Sequence, residues 1–152
     1  MQDDTPNDTT IARIVVTSER LLVADCLTHH FTNASHRFEL VADVAEASDP
    51  AIPTVCVLDV GRKHYGTPEK SLILTRMLQA APAARTLVLS SHSDVWEASD
   101  WITSGAHGFF TAKSNPDLLT AATIVVAAGG VFVPESLVHE LLSRHASGPA
   151  NA

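Results

Sequence analysis

The chain has 152 residues, 45% of them hydrophobic and 18% charged, with a formal net charge of −7. That is enough apolar material for one packed domain, and it excludes an intrinsically disordered chain. The net acidity, with no run of Lys and Arg, argues against a nucleic-acid-binding face on this segment.

Residues 1–12 are polar and lack periodicity, which reads as a flexible tail; nothing in them resembles a secretory signal. Ile14-Val15-Val16 is a β-branched run that predicts a buried strand. Arg20 to Phe31 places Leu22, Cys26, Leu27 and His30-Phe31 at helical spacing, with Ser18 as the expected N-cap. Strands are predicted over Phe38 to Ala42 and over Val55 to Val60, the latter apolar except for Asp59. Between them Ala45 to Thr54 leaves room for about one helical turn, so the helix after the second strand is expected to be shortened. Glu69 to Ala80 reads as a helix, Thr86 to Leu89 as a strand, and Asp94 to Ser104 as a helix ended by Gly105. Gly108-Phe109-Phe110 is a short fifth strand. Asn115-Pro116 pairs an N-cap residue with proline at the first helical position, and Gly129-Gly130 ends that helix. Val131 to Pro134 is extended, and Glu135 to Arg144 forms an additional amphipathic helix.

This alternation predicts an α/β domain: a doubly wound, five-stranded parallel sheet with helices on both faces. Ligands of such sheets sit at the carboxyl ends of the strands. Ser18 and Glu19, Asp59, Ser90 and Lys113 are therefore the residues of interest, gathered around an acidic pocket. The eight histidines show no HxxxH or HExxH spacing, which makes them surface residues and not metal ligands. Cys26 and Cys56 both sit in apolar surroundings and are read as buried thiols. Trp96 and Trp101 fall on different faces of one helix; an exposed one would mark an interaction surface. No GxGxxG, P-loop or GxSxG motif is present, so no enzymatic activity is expected. The longest apolar stretch, Leu118 to Val133, is interrupted by Thr120, Thr123 and Gly129-Gly130; no membrane span is expected, and a cytoplasmic location is.

Leu58-Asp59-Val60, Ser90, the segment Gly105-Ala106-His107-Gly108-Phe109-Phe110 and the run Ala127 to Pro134 occur in the order and spacing that resemble response-regulator receiver domains of the NarL/LuxR subfamily. The resemblance covers roughly residues 13–137 and implies a flavodoxin/CheY-like fold. It makes Asp59 the phospho-acceptor, Ser90 the switch hydroxyl and Phe109 its aromatic partner. Mg²⁺ would be held by Glu19, Asp59 and the Gly61 carbonyl, with Lys113 as the phosphate contact. Four features depart from the family: the loop Gly61 to Gly66 lacks the Pro often found there and is one residue short, the second helix is almost deleted, and two site positions differ. Ser18-Glu19 stands where an acidic pair is usual, and the lysine position falls on Ala112, one residue before Lys113.

The expected organisation is a tail (1–12), a receiver domain (13–133), and a linker helix with a frayed end (134–152). Leu137, Leu141 and Leu142 would add to a homodimer face. The expected role is an atypical receiver, the N-terminal regulatory and dimerisation module of a NarL/LuxR-type transcription regulator, with weak or no phosphorylation. DNA would be reached only through a C-terminal domain outside these residues. The alternative is a phosphorylation-competent switch at Asp59, using Mg²⁺ and a sensor histidine kinase, or a stand-alone receiver adaptor.

Overall fold

The computed structural model describes residues 10–34, 37–42, 51–92 and 94–147. Five strands form one parallel sheet in the order β2-β1-β3-β4-β5. They are β1 (Ala12–Ser18), β2 (Phe38–Leu40), β3 (Thr54–Gly61), β4 (Arg85–Ser90) and β5 (Gly108–Thr111). The helices are α1 (Leu21–Thr32), α2 (Thr67–Ala80), α3 (Val95–Thr103), α4 (Pro116–Ala127) and α5 (Glu135–Ser147). The shortened helix expected between β2 and β3 lies outside the described residues, as does most of the tail.

Every residue of the central strand β3 is buried, as a strand covered on both faces requires. Its side chains alternate between two cores. Val55 and Val57 join Ile14, Leu87, Leu89 and Phe110 beneath α1 and α4, where Leu27, Phe31, Leu119 and Val126 close the layer. Leu58 and Val60 join Val88 and Phe109 beneath α2, α3 and α5, where Leu74, Trp101 and Leu137 close the other. Asp59 continues the row of Val55 and Val57, so the pleat aims it toward the α1 side of the sheet.

Helix starts follow local chemistry. Asp94 accepts from the Trp96 N–H at 2.8 Å, and Asn115 accepts from the Asp117 N–H at 2.8 Å with Pro116 following. Helix α1 differs from expectation: its N-cap is Arg20, without a side-chain cap bond. Ser18 instead accepts from the Arg20 N–H at 3.0 Å and spends its hydroxyl proton elsewhere.

The edge of β5 is covered by the chain leaving α4. Phe109 N–H donates to Phe132 O and Phe132 N–H to His107 O, a parallel bridge that leaves this edge paired. Gly108 is needed there, because a Cβ would lie 2.7 Å from Leu87 Cδ1. Beyond it, α5 folds back on α3. Leu137, expected on a dimer face, is instead only 2% exposed in this chain's own core. Leu142 is exposed, and the Leu141 side chain lies outside the described residues.

The thiol expectation is half corrected. Cys56 is buried in β3, where burial pushes its thiol up to about 11, whereas Cys26 is exposed on α1. The amphipathic spacing that suggested burial is satisfied by its neighbour Leu27. Trp101 is wholly buried and Trp96 is 60% exposed, as their separation on one helix requires. Among the described residues no helix is long and apolar enough to cross a membrane.

Candidate functional site at the carboxyl end of the sheet

Strand register assembles the site. Ser18 of β1 lies beside Asp59 of β3, and past a bulge between Asp59 and Gly61 the pairing continues from Gly61 to Ser90 and from Ser90 to Thr111. The bulge turns on Gly61, whose φ of +58° is a left-handed conformation that glycine adopts without strain. The same glycine clears space. A Cβ there would lie 3.2 Å from Arg20 Cζ and 3.3 Å from its Nε, so the absence of a side chain lets the guanidinium lie across the strand end.

The Asp59 side chain is 1% exposed, and its acceptors are occupied. Arg20 donates twice, from Nε to Oδ2 at 2.9 Å and from Nη2 to Oδ1 at 2.6 Å, the forked geometry of a bidentate guanidinium–carboxylate pair. Ser18 Oγ–H donates to Oδ2 at 2.7 Å, and the Gly61 N–H donates to Oδ1 at 3.1 Å. Burial alone would raise the Asp59 carboxyl. The Arg20 and Ser18 hydrogen bonds, the Arg20 charge and the Gly61 N–H outweigh it and hold Asp59 below the usual carboxylate range.

The remaining expected residues are arranged differently. Glu19 points out to solvent, 77% exposed, and pairs with Lys63. The Gly61 carbonyl accepts the Ser91 N–H at 2.9 Å as part of the strand-end ladder. Ser90 is fully buried, and its Oγ accepts from the His92 N–H at 3.0 Å. Phe109 is fully buried in the core with Val88, Trp101 and Leu137. Ala112 follows β5 with its N–H on Ser90 O, and Lys113 is exposed in the next position with no ion pair among the described residues.

A divalent cation such as Mg²⁺ takes oxygen ligands from carboxylates and carbonyls. This donor set does not fit one. Asp59 has no free acceptor, Glu19 is turned to Lys63, and the Gly61 carbonyl serves the sheet; among the described residues no three His, Cys, Asp or Glu side chains cluster. The positive charge beside Asp59 is a guanidinium fixed to the chain.

Sequence reasoning missed Arg20, which was read only as a helix start. The available signal was the pair Arg20 and Gly61, each two residues beyond a strand-end polar group, but the reach of a long side chain across a glycine is a tertiary fact. It also missed Lys70, whose side chain is 3% exposed between α2 and α3. Lys70 donates to Asp100 at 2.7 Å and Glu97 at 3.0 Å, with Nζ 5.6 Å from the Trp101 ring centre.

No protein-family model matches the chain. Over 114 residues, 71% of the chain, it is 28% identical to the transcriptional regulatory protein DegU of Brevibacillus brevis, covering 47% of that protein. The chain thus spans about half the length of this curated relative. Among solved structures it is similar to a two-component response regulator of the LuxR family from Aurantimonas sp. SI85-9A1. That likeness has a TM-score of 0.69 at 21% identity, covering 91% of this chain and 100% of that one. It is also similar to the isolated REC domain of RcsB from Salmonella enterica serovar Typhimurium in the apo form, with a TM-score of 0.66 at 15% identity over 87% of this chain and 98% of that one. The fold is the CheY-like fold of receiver domains.

Proposed function

We propose that this chain is an atypical receiver, the regulatory and dimerisation module of a LuxR-type DNA-binding regulator, in which Arg20 holds the acceptor carboxylate closed. The observation that carries the reading is the set of hydrogen bonds on Asp59, which leaves neither carboxylate oxygen a free lone pair for a cation or for attack on a phosphoryl donor. Phosphoryl transfer stabilises developing charge with preorganised cations, and losing one such partner commonly costs on the order of 10²-fold or more in rate. Here the metal carboxylates are absent or diverted, and the family's lysine position holds Ala112. The guanidinium neutralises Asp59 in the resting state and must leave before the carboxylate can attack.

The switch parts fit a fixed state. Phe109 has no hydroxyl to draw it toward water and is already packed inside, while Ser90 is engaged by the His92 N–H. Output then comes from surfaces. The exposed apolar residues Leu21 and Leu22 on α1 and Leu118 and Val125 on α4 support a homodimer through these two helices. DNA would be engaged by a further domain, and the cytoplasm is the corresponding location.

The test is chemical. The protein is incubated with Mg²⁺ and phosphoramidate and its intact mass is measured, with Asp59→Asn as control. No addition of a phosphoryl group is expected on the wild-type chain. Stoichiometric addition that the control lacks would establish a working switch at Asp59 instead.

A further inference from the structure

On the α1/α4 face, a cleft of about 470 Å³ opens beside the strand ends. It is about three times the volume of the cleft over Asp59, about 150 Å³, and within the range of small-molecule sites. Its walls are apolar, formed by Val23 and Leu27 of α1, Leu89 and Phe110 of the sheet, and Pro116 and Leu119 of α4. Arg20, His30, Ser91 and Ser114 add polar groups to the lining; His30 Nε2 is bonded to Thr120 Oγ1 of α4 at 2.9 Å and Ser114 Oγ to Thr111 Oγ1 at 2.9 Å. Ala112 lies at the rim with only a methyl group, so nothing of its side chain crosses the opening.

Arg20 belongs to both clefts. A guanidinium carries five N–H donors. One on Nε and one on Nη2 go to Asp59, and the others have no acceptor among the described residues. The side chain is 46% exposed, so these donors are reachable from solvent. Of the charged residues along the two clefts, Arg20 pairs with Asp59 and Lys63 with Glu19, and the larger cleft is lined by Arg20 and by no carboxylate. An apolar trough that includes an oriented guanidinium with unused donors, and no carboxylate of its own, is complementary to an anion with an apolar body.

We propose that this cleft binds a small amphipathic carboxylate, its hydrocarbon body between α1 and α4 and its head on the free N–H groups of Arg20. The ligand would sit on an Arg20 that Asp59 already holds in place, so little ordering of the arginine is needed on binding. This goes beyond the receiver role proposed above. It rests on the cleft and on Arg20 being held by Asp59, the same pair on which the closed-acceptor reading rests.

Cys26 lines the cleft and is exposed, which supplies a probe. The rate of Cys26 alkylation by iodoacetamide is measured on the full chain with octanoate, with 1-octanol and with acetate, and amide NMR shifts are followed in the same titrations. Octanoate is expected to slow alkylation at least fivefold at saturation and to shift Val23, Leu27, Phe110 and Leu119. Octanol should bind about tenfold more weakly for want of a charge-assisted hydrogen bond, and acetate should not protect. Ala112→Leu, which fills the rim without touching Asp59, should abolish protection, and Arg20→Gln should weaken octanoate at least tenfold. Equal protection by octanol, no protection by octanoate, or full protection in Ala112→Leu would overturn the proposal. Equal octanoate binding in Arg20→Gln, with that variant's amide spectrum showing it folded, would do the same.

Discussion

Replacing Arg20 with alanine takes the guanidinium off a carboxylate whose side chain is 1% exposed. Breaking a fully buried ion pair typically costs about 3–5 kcal/mol, because the remaining charge is left uncompensated. Two features reduce that figure here. Half of the Arg20 side chain already faces water, and Asp59 keeps its bonds from Ser18 and Gly61. The expected loss at pH 7 is therefore about 2 kcal/mol, nearer that of hydrogen bonds to a charged group. Urea denaturation of the wild type, Arg20→Ala, Asp59→Asn and the double variant isolates the pair. In the Asp59→Asn background the Arg20→Ala cost should fall to about 0.5 kcal/mol or less, a coupling of roughly 1.5 kcal/mol. The pH dependence has a definite sign. Asp59 is held below its ordinary value, so its contribution is present above the unfolded-state pKa of about 3.9 and is lost as pH falls through the lower folded value. The gap between wild type and Arg20→Ala should be full at pH 7 and narrow below about pH 4. An Arg20→Ala cost under about 0.5 kcal/mol at pH 7, or an equal cost in the Asp59→Asn background, would refute the reasoning.

Three further outcomes follow from particular contacts. Gly61→Ala forces a left-handed L-residue and pushes a Cβ to within 3.2 Å of Arg20 Cζ, so it should cost about 1–2 kcal/mol in urea denaturation and relax the Asp59 pair. Lys70→Met strands Glu97 and Asp100 between α2 and α3 and should cost about 3 kcal/mol, read as a fall in thermal midpoint; adding Glu97→Gln and Asp100→Asn should recover part of it. In native protein at pH 8 a thiol reagent should modify Cys26 and spare Cys56, whose burial in β3 pushes its thiol up to about 11, until urea unfolds the chain.

The sheet was legible because its determinants are local. Short apolar runs bounded by turn residues, β-branched in β1 and β3 and aromatic in β5, gave the five strands, and Asn115-Pro116 and Gly129-Gly130 set the limits of α4. The location of the site was legible for the same reason, since parallel sheets gather polar groups at the carboxyl ends of their strands. Its chemistry was not. Arg20 reaches Asp59 across 39 positions of sequence, passing Gly61 where a Cβ would lie 3.2 Å from its Cζ. Neither condition leaves a periodic trace. Glu19 was assigned inward by analogy of position, whereas solvent and Lys63 draw it out. Lys70 resembled any lysine on a helix, and Cys26 and Leu137 exchanged their expected environments. Cys26 is exposed one residue from buried Leu27, and Leu137 is buried because α5 folds back on α3.

The central claim is that Arg20 keeps Asp59 from acting as a phosphoryl acceptor. The most direct measurement is an amide NMR spectrum in Mg²⁺ with and without beryllofluoride, a phosphoryl mimic that needs an open acceptor carboxylate. The account expects the signals of Asp59, Gly61, Ser90 and Thr111 to stay unchanged in the wild-type chain. Saturable shifts at those residues, absent in Asp59→Asn, would contradict it.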